Sequence, residues 1–587
     1  MKKNQLTTVG TETKDYEEFV QRTREGKNTF DDLLKFYVGH NGFWQYAIMI
    51  LVAVSSPSTI CFGNFITATH AFRCRQSDDL ESWFVEKNYS FADISHVLNA
   101  EQEGCVAYQI PKESWEWAMG QTTRIKDDLF NRSTCLNGFV FQPDNQYYYE
   151  DTIVKEFGLV CDKSYLMPLD TSFYMAGMLV GFLLGGYCAD TFGRKYSALF
   201  FALVGVASTV ILYFSKEFIT FLILRLLIGG SGSAISSIMT VIAIEMSTVE
   251  SRSIFISIWI VTQQFLSRSL LSVEGYFIKD WRTFQLVQYT PGALAIMYAF
   301  FLPESARWLY TKGRFAEMKK YLENAKSLNE RFFGLPKIEN PKVDMTTVIE
   351  NLEEEYNQMK KARDKIPSES SKGFLLVTKL RGLYNDFFNE KTFRKTLASI
   401  SVFSLHLCGL YGVNYYLKTI RESIYIMNVI AGTSNLLSAL VLSLSYRFFT
   451  SRKTPLMIYL TMAWILLVVF SASMMLFQFA SDLLFTIVIF FVIILLQAVM
   501  NMQYCYIPEL YPASLRVQSL GLASGIGRVT VMFVDYINLL DRKVIHGLPL
   551  LIFGGIIAVE FLILTFLLPD TTGENLDART KDDETEF

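Results

Sequence analysis

Charge is segregated along this chain, and that limits what the chain can fold into. It has 587 residues, with 54 Lys and Arg and 57 Asp and Glu; 81 of these 111 fall in four stretches, 1–41, 67–165, 303–395 and 570–587. The other 336 residues carry 30, about one charge in eleven. A soluble protein of several domains spreads its charge, roughly a quarter of all residues, along the whole sequence. Long charge-poor blocks in a chain that is 51% hydrophobic instead describe an integral membrane protein. A net charge of −3 and a pI of 6.1 argue against a nucleic-acid binder.

A helix that crosses a bilayer needs about 20 mostly apolar residues. Twelve apolar runs meet that length: 43–66, 166–189, 197–214, 218–243, 254–278, 283–302, 396–417, 424–446, 455–477, 483–506, 516–539 and 548–568. Barrel strands would be about 10 residues long with alternating polarity, so the expected class is an all-α membrane protein with twelve transmembrane helices. No signal peptide is evident, because the chain stays polar to about Gly42.

Basic residues collect on the cytoplasmic side of a membrane. The segment 67–165 carries 9 basic and 16 acidic residues, and 303–395 carries 19 basic and 14 acidic. With an even helix count, both termini and 303–395 are expected inside and 67–165 outside, the first spanning helix itself directing insertion; the plasma membrane is the expected location. Cys74, Cys105, Cys135 and Cys161 lie in 67–165. An even cysteine set in an external loop reads as two disulfides, with three pairings open. Both Asn-x-Ser acceptors, Asn88 and Asn131, lie in the same loop, which makes it the expected glycosylated segment. Inside, Glu317–Asn329 and Val348–Arg363 have helical period and mixed charge, and 366–373 reads as a linker.

A repeat of about 260 residues divides the chain. Glu245 and Arg252 recur as Glu509 and Arg516 at an offset of 264. Pro303-Glu304-Ser305 recurs as Pro569-Asp570-Thr571 at 266, and Phe192–Ser197 as Thr450–Pro455 at 258. The expected organisation is therefore a tail 1–41, a six-helix bundle 42–302 containing loop 67–165, a cytoplasmic linker 303–395, a second bundle 396–569 and a tail 570–587. Two pseudo-symmetric bundles around a central site are the sequence sign of an alternating-access transporter. The charged residues at the cytoplasmic helix ends, Asp190, Arg194, Lys195, Glu245, Arg252, Glu304, Arg307, Arg452, Glu509 and Arg516, are expected to link and release the halves as an inner gate.

The run Gly186-Tyr-Cys-Ala-Asp190-Thr-Phe-Gly193-Arg194-Lys195 resembles the signature loop of the major facilitator superfamily, with Thr191 where a basic residue is usual. Arg225-Leu-Leu-Ile-Gly-Gly resembles a second superfamily pattern. Pro303-Glu-Ser-Ala-Arg307-Trp-Leu, Glu509-Leu-Tyr-Pro-Ala-Ser-Leu-Arg516, Gly42-Phe-Trp-Gln45, Asn64-Phe65, Asp280-Trp-Arg282, Cys135-Leu-Asn-Gly138 and Leu159-Val-Cys161 are similar to one branch of it. That branch is the organic cation, zwitterion and anion transporter family, solute carrier family 22. The resemblance covers nearly the whole chain and implies the major facilitator fold and polyspecific transport of small organic ions. Sugar porters share the superfamily loop but lack the large first outer loop.

Ionisable residues inside a membrane are costly and default to functional roles. Arg225, Arg268, Glu274, His406, Arg528, Asp535 and Glu560 qualify. In the family, the position of Arg528 tends to be Asp in cation transporters and Arg in anion transporters, so the resemblance favours an organic anion. A buried Arg suits a carboxylate or sulfonate. Against this, the second basic position of many anion transporters maps near Ala439, Asn435 replaces an acidic residue, and Asp535 lies seven residues from Arg528, where it could neutralise it. An organic cation or carnitine-like zwitterion is the alternative substrate, ahead of a sugar or a receptor-like protein without transport. Arg268 and Glu274 could extend the site. His406 reads as a satisfied core histidine before a proton carrier. Tyr411 and Tyr415 share a helix face, Tyr504 lies near their depth, and aromatic walls suit a promiscuous pocket.

No phosphate-binding Gly-rich loop, metal-ligand cluster or nucleophile elbow is present in the sequence, so neither an enzyme nor a cofactor is expected. Besides the substrate and the lipid bilayer, the C-terminal Thr585-Glu-Phe587 fits a carboxylate-capture motif for a PDZ-type scaffold.

Overall fold

A computed structural model describes residues 20, 21, 23, 30–38, 42–55, 62–68, 70–99, 104–120, 130–142, 151–246, 261–301, 304–333, 345–364, 390–417, 424–449, 451–477, 482–511 and 516–570. Helices dominate them. The first bundle contains α1 (Phe43–Ser55), α2 (Phe62–Ile66), α3 (Leu169–Phe192), α4 (Arg194–Phe214), α5 (Phe218–Met246), α6 (Ser267–Phe277), α7 (Trp281–Gln288) and α8 (Thr290–Phe301). Then come α9 (Phe315–Phe333) and α10 (Met345–Asp364), which match the two amphipathic segments read from charge and period. The second bundle is α11 (Glu390–Tyr416), α12 (Ile424–Phe448), α13 (Lys453–Phe477), α14 (Asp482–Glu509), α15 (Arg516–Val531), α16 (Val534–Lys543) and α17 (Leu548–Leu567).

Among the described residues, nine helical spans are long and apolar enough to cross a membrane. Of the remaining three apolar runs, 43–66 is described as α1 and α2, with 56–61 outside the described residues; 254–278 is described only from a π-helical turn at Val261–Leu266 into α6; and 283–302 breaks between α7 and α8 at Tyr289. The linker at 366–373 lies outside the described residues.

Close packing follows from small residues. Gly177, Gly181 and Gly185 stand four apart on α3, and a Cβ on either of the first two would run into the Leu226 or Gly230 carbonyl of α5. Only glycine lets the two backbones approach this closely. Gly193 joins α3 to α4 at φ 103°, a region open to glycine, and a Cβ there would meet the Glu304 carboxylate.

The loop between α2 and α3 is a small disulfide-held unit. Strands β1 (Phe72–Cys74) and β4 (Phe139–Phe141) pair antiparallel with Phe72 opposite Phe141, and β2 (Val106–Tyr108) pairs with β3 (Arg132–Thr134) with Val106 opposite Thr134. Of the three pairings the sequence allows, the structure has Cys74–Cys135 and Cys105–Cys161, with Cα atoms 4.8 and 5.6 Å apart. A core of Leu80, Phe84, Ile94, Leu98 and Trp115 fills it. Asn88 and Asn131 are exposed on its surface. The unit is anchored to the bundle where Arg282 of α7 grips Glu156 through two 2.6 Å hydrogen bonds and donates to the Ser215 carbonyl at the end of α4. This end of the bundle is called the loop face below, and the opposite end the far face.

Candidate substrate site and gates

Arg528 sits mid-way along the α15–α16 span, 6% exposed. Its Nη1 donates to the Tyr411 hydroxyl at 2.9 Å. The guanidinium lies 5.4 Å from the Tyr411 ring centre and 5.8 Å from that of Phe182. Phe182 belongs to α3, so the charge faces the seam between the two halves. Its Nε has no hydrogen-bond partner, and among the described residues no carboxylate forms an ion pair with it. Tyr411 and Tyr415 share one face of α11 with ring centres 5.8 Å apart. Tyr504 of α14 packs edge-on against Phe403, about two turns before Tyr411 on α11.

Asp535 does not serve as the partner of Arg528. The seven-residue spacing assumes one continuous helix, but α15 ends at Val531 and α16 begins at Val534. The turn frees the Met532 carbonyl, which accepts from Ser172 Oγ of α3 at 2.6 Å, and Asp535 accepts from Thr171 Oγ1 at 2.5 Å. Both contacts cross the seam.

Arg268 also crosses it. Its Nη1 donates to Asn414 of α11 at 3.3 Å, while Asn428 of α12 donates to the Arg268 carbonyl at 3.0 Å and to Ser272 Oγ at 3.1 Å. Lys279 contacts the Tyr425 hydroxyl at 3.2 Å. These polar bridges lie in the half of the molecule nearer the loop face. Glu274 joins neither Arg268 nor Arg528; it accepts from Gln288 of α7, within the first bundle.

At the far face several charged residues bond within their own half. Arg194 reaches Asp190 at 3.1 Å and Glu245 at 2.8 Å. Glu304 accepts from the backbone N–H groups of Arg194 at 2.7 Å and Lys195 at 3.2 Å. Burial pushes the Glu304 carboxyl up, against the pull of the N–H groups of Ser305, Lys195 and Arg194 and of the Arg194 charge. Arg307 Nε donates to the Glu245 carbonyl at 3.1 Å. In the second half, Arg452 approaches Glu509 at 3.8 Å, and Arg516 is the first residue of α15. Arg252 and the C-terminal Thr585–Phe587 lie outside the described residues.

Sequence reasoning missed the tightest charge pair in the first bundle. Arg225 of α5, 1% exposed, binds Asp170 of α3, 0% exposed, at 2.5 and 3.2 Å, and donates to Gln285 of α7 at 3.1 Å. Asp170 stands five residues into its apolar run and could have been found by listing every acidic residue inside the runs. Phe182, Asn414 and Asn428 carry no such signal.

Residues 131–582 match the profile of a family described as sugar (and other) transporter. The chain is 25% identical to an organic cation transporter-like protein of Drosophila melanogaster, covering 93% of each. It is 25% identical to organic cation/carnitine transporter 2 of Homo sapiens, over 93% of this chain and 92% of that one. It is also 25% identical to solute carrier family 22 member 7 of Bos taurus, over 94% and 96%. The likeness to solute carrier family 22 read from the motifs is thereby borne out. Among solved structures, the xylose transporter XylE from E. coli, in a partially occluded inward-open conformation, matches with a TM-score of 0.53 at 16% identity, covering 91% of this chain and 99% of that one. This likeness is one of fold, the twelve-helix major facilitator fold.

Proposed function

Since this chain belongs to the sugar (and other) transporter family, we propose that it carries small organic ions, preferentially organic anions, across the plasma membrane by alternating access. The observation that carries the anion reading is Arg528: a guanidinium 6% exposed, with an unpartnered Nε and no bonded carboxylate among the described residues. Burying a charge without its counter-charge costs several kcal/mol. Such a charge is retained where a counter-ion arrives with the substrate. A carboxylate or sulfonate can take the free donors, while Phe182, Tyr411, Tyr415 and Tyr504 offer ring faces to a flat apolar body. Asp535, engaged by Thr171, leaves that role open to the substrate.

The gates follow from the same seam. With loop 67–165 outside, the bridges Thr171–Asp535, Arg268–Asn414 and Lys279–Tyr425 close the outer side, so this conformation opens toward the cytoplasm. The far-face clusters around Arg194 and Arg452 then hold helix ends within each half. They are available to exchange partners across the seam when the inner side closes.

Uptake in oocytes tests the reading. A labelled aromatic carboxylate should enter at least about tenfold faster than a quaternary ammonium, a difference of about 1.4 kcal/mol. Arg528→Asp should abolish the carboxylate flux at unchanged surface level. Ammonium uptake by the wild type that survives the substitution would overturn it.

A further inference from the structure

His406 of α11 and Glu560 of α17 are both fully buried, at 0% exposure. His406 Nδ1 lies 3.1 and 3.2 Å from the two Glu560 oxygens, and Nε2 lies 2.9 Å from the Leu496 carbonyl oxygen of α14. Gln503 of α14 donates to Glu560 Oε1 at 2.7 Å.

These contacts fix the proton count. A carbonyl oxygen only accepts, so Nε2 carries a hydrogen. Nδ1 then faces the carboxylate as an N–H donor, or faces a carboxylic O–H as its acceptor. Either arrangement holds one proton between the two side chains and is neutral overall. Without that proton, an imidazole lone pair would face a carboxylate in a dry site, with Gln503 as the remaining donor. That state is strongly disfavoured.

Charged and titratable groups on the surrounding helices are engaged elsewhere. Arg528 of α15 bonds Tyr411. On α16, Asp535 bonds Thr171, and Asp541 accepts from Tyr416, His546 and the Gly547 N–H. On α14, Tyr504 packs on Phe403, Tyr506 donates to the Pro569 carbonyl, and Glu509 lies near Arg452. Cys408 of α11 is a buried free thiol, and Cys505 of α14 is exposed.

We propose that the His406–Glu560 pair, capped by Leu496 and Gln503, is a proton-binding site whose occupancy is coupled to transport. In the coupled step the pair opens to water and one H⁺ leaves, converting the neutral pair to neutral histidine plus carboxylate; no other bond is made or broken. The coupling route is short. Tyr411 follows His406 by five residues on α11, Leu407 packs on Gly527 beside Arg528, and Gln503 immediately precedes Tyr504. Helices that hold the proton thus also build the walls around Arg528. The coupling rests on the transport reading above; the proton site itself does not.

Two measurements on the full-length protein separate these parts. Purified protein is melted between about pH 5.5 and 8.5. Wild-type Tm should fall as pH rises, and Glu560→Gln, whose amide can donate permanently to Nδ1, should flatten that slope. A second variant, Glu560→Gln combined with His406→Gln, leaves no titratable group at the site and should do the same, so that misfolding of one variant leaves the other as a test. In proteoliposomes, an inward proton gradient should speed wild-type uptake of the labelled carboxylate about fivefold or more, with proton entry reported by an internal pH dye. Glu560→Gln should take up the probe at a rate independent of the gradient. A wild-type Tm slope retained by a folded variant would overturn the proton site. Gradient-driven uptake retained by Glu560→Gln would overturn the coupling. A lost slope in a chain that moves no probe would leave the proton site standing and sink the transport reading alone.

Discussion

Two buried arginines, one in each half, show what a charge in a membrane protein can be for. Arg225 and Arg528 are 1% and 6% exposed, and both are collared by rings: Tyr174 and Phe62 at 4.7 and 5.6 Å from Arg225, Tyr411 and Phe182 at 5.4 and 5.8 Å from Arg528. They differ in their partners. Arg225 has a carboxylate, Asp170, and an amide oxygen, Gln285, both from its own half. Arg528 has one phenol and an unused Nε, and its collar includes a residue from the other half. A paired charge within one bundle ties helices together. Under the proposed function, the unpaired charge at the seam keeps its hydrogen-bonding capacity for the substrate.

The sharpest way to break this contrast is to remove each guanidinium. Arg225→Ala leaves Asp170 buried without a cation and should cost about 3–5 kcal/mol, read as a collapse of the monodisperse peak in fluorescence-detected size exclusion. Arg528→Ala should keep the peak and lose carboxylate uptake. A double variant, Asp170→Leu with Arg225→Met, should recover much of the peak, because it removes both charges together. Equal losses from the two single alanine variants would mean that Arg528 is structural too.

Tyr411→Phe is a finer cut. It removes one hydrogen bond to a charged group, worth about 1.5–3 kcal/mol, and keeps the ring. If the phenol holds the guanidinium in its productive pose, KM for the carboxylate should rise about tenfold or more with surface level unchanged. An unchanged KM would mean that the rings and backbone alone position Arg528.

These comparisons also explain how far the sequence could be read. Charge segregation and the repeat led to the membrane class and the two bundles, because both arise from local composition that every helix must satisfy. Arg528 was visible as an ionisable residue in an apolar run. Its isolation was not, because that depends on the break between α15 and α16. No Gly or Pro marks the break: residues 529–537 read Val-Thr-Val-Met-Phe-Val-Asp-Tyr-Ile. The carbonyl it frees is satisfied by Ser172, 360 residues away in sequence. The far-face charges were placed by their repeat, but the repeat carries no information about partners. Arg194 pairs with Glu245, 51 residues on, inside one half. The pairing of the four loop cysteines likewise depends on which strands meet, a long-range fact.

Gln285→Met tests how finished the Arg225 site is. The substitution removes an acceptor for Arg225 Nη1, but it also removes a buried Nε2 that has no partner. The two effects oppose, so the net change in stability should stay within about 1 kcal/mol, measured as a small Tm shift. A large loss would show that the amide oxygen, and not Asp170 alone, is needed to hold the buried guanidinium.

A third arginine extends the comparison to water. In the disulfide-held loop between α2 and α3, Arg73 binds Glu81 through two hydrogen bonds of 2.6 and 2.7 Å, with side chains 5% and 19% exposed. Burial alone would raise the Glu81 carboxyl. Hydrogen bonds from Arg73 and the Gln76 N–H, with the charges of Arg73 and Arg75, outweigh it and hold the group below its ordinary range. A carboxyl depressed in the folded state contributes stability that is present above its unfolded value and lost as pH falls through the folded one. With Glu81 still 19% exposed, the pair should be worth about 1 kcal/mol. Hydrogen–deuterium exchange of residues 72–86 in the full-length protein, comparing wild type with Glu81→Gln at matched pH, reads this directly. Wild type should be better protected at neutral pH, and the two should converge as the medium is acidified. A difference that persists in acid would mean that the pair acts through shape and hydrogen bonding more than through charge. The paired arginine of the disulfide-held loop would then differ from Arg225 of the helical bundle in kind and not only in degree.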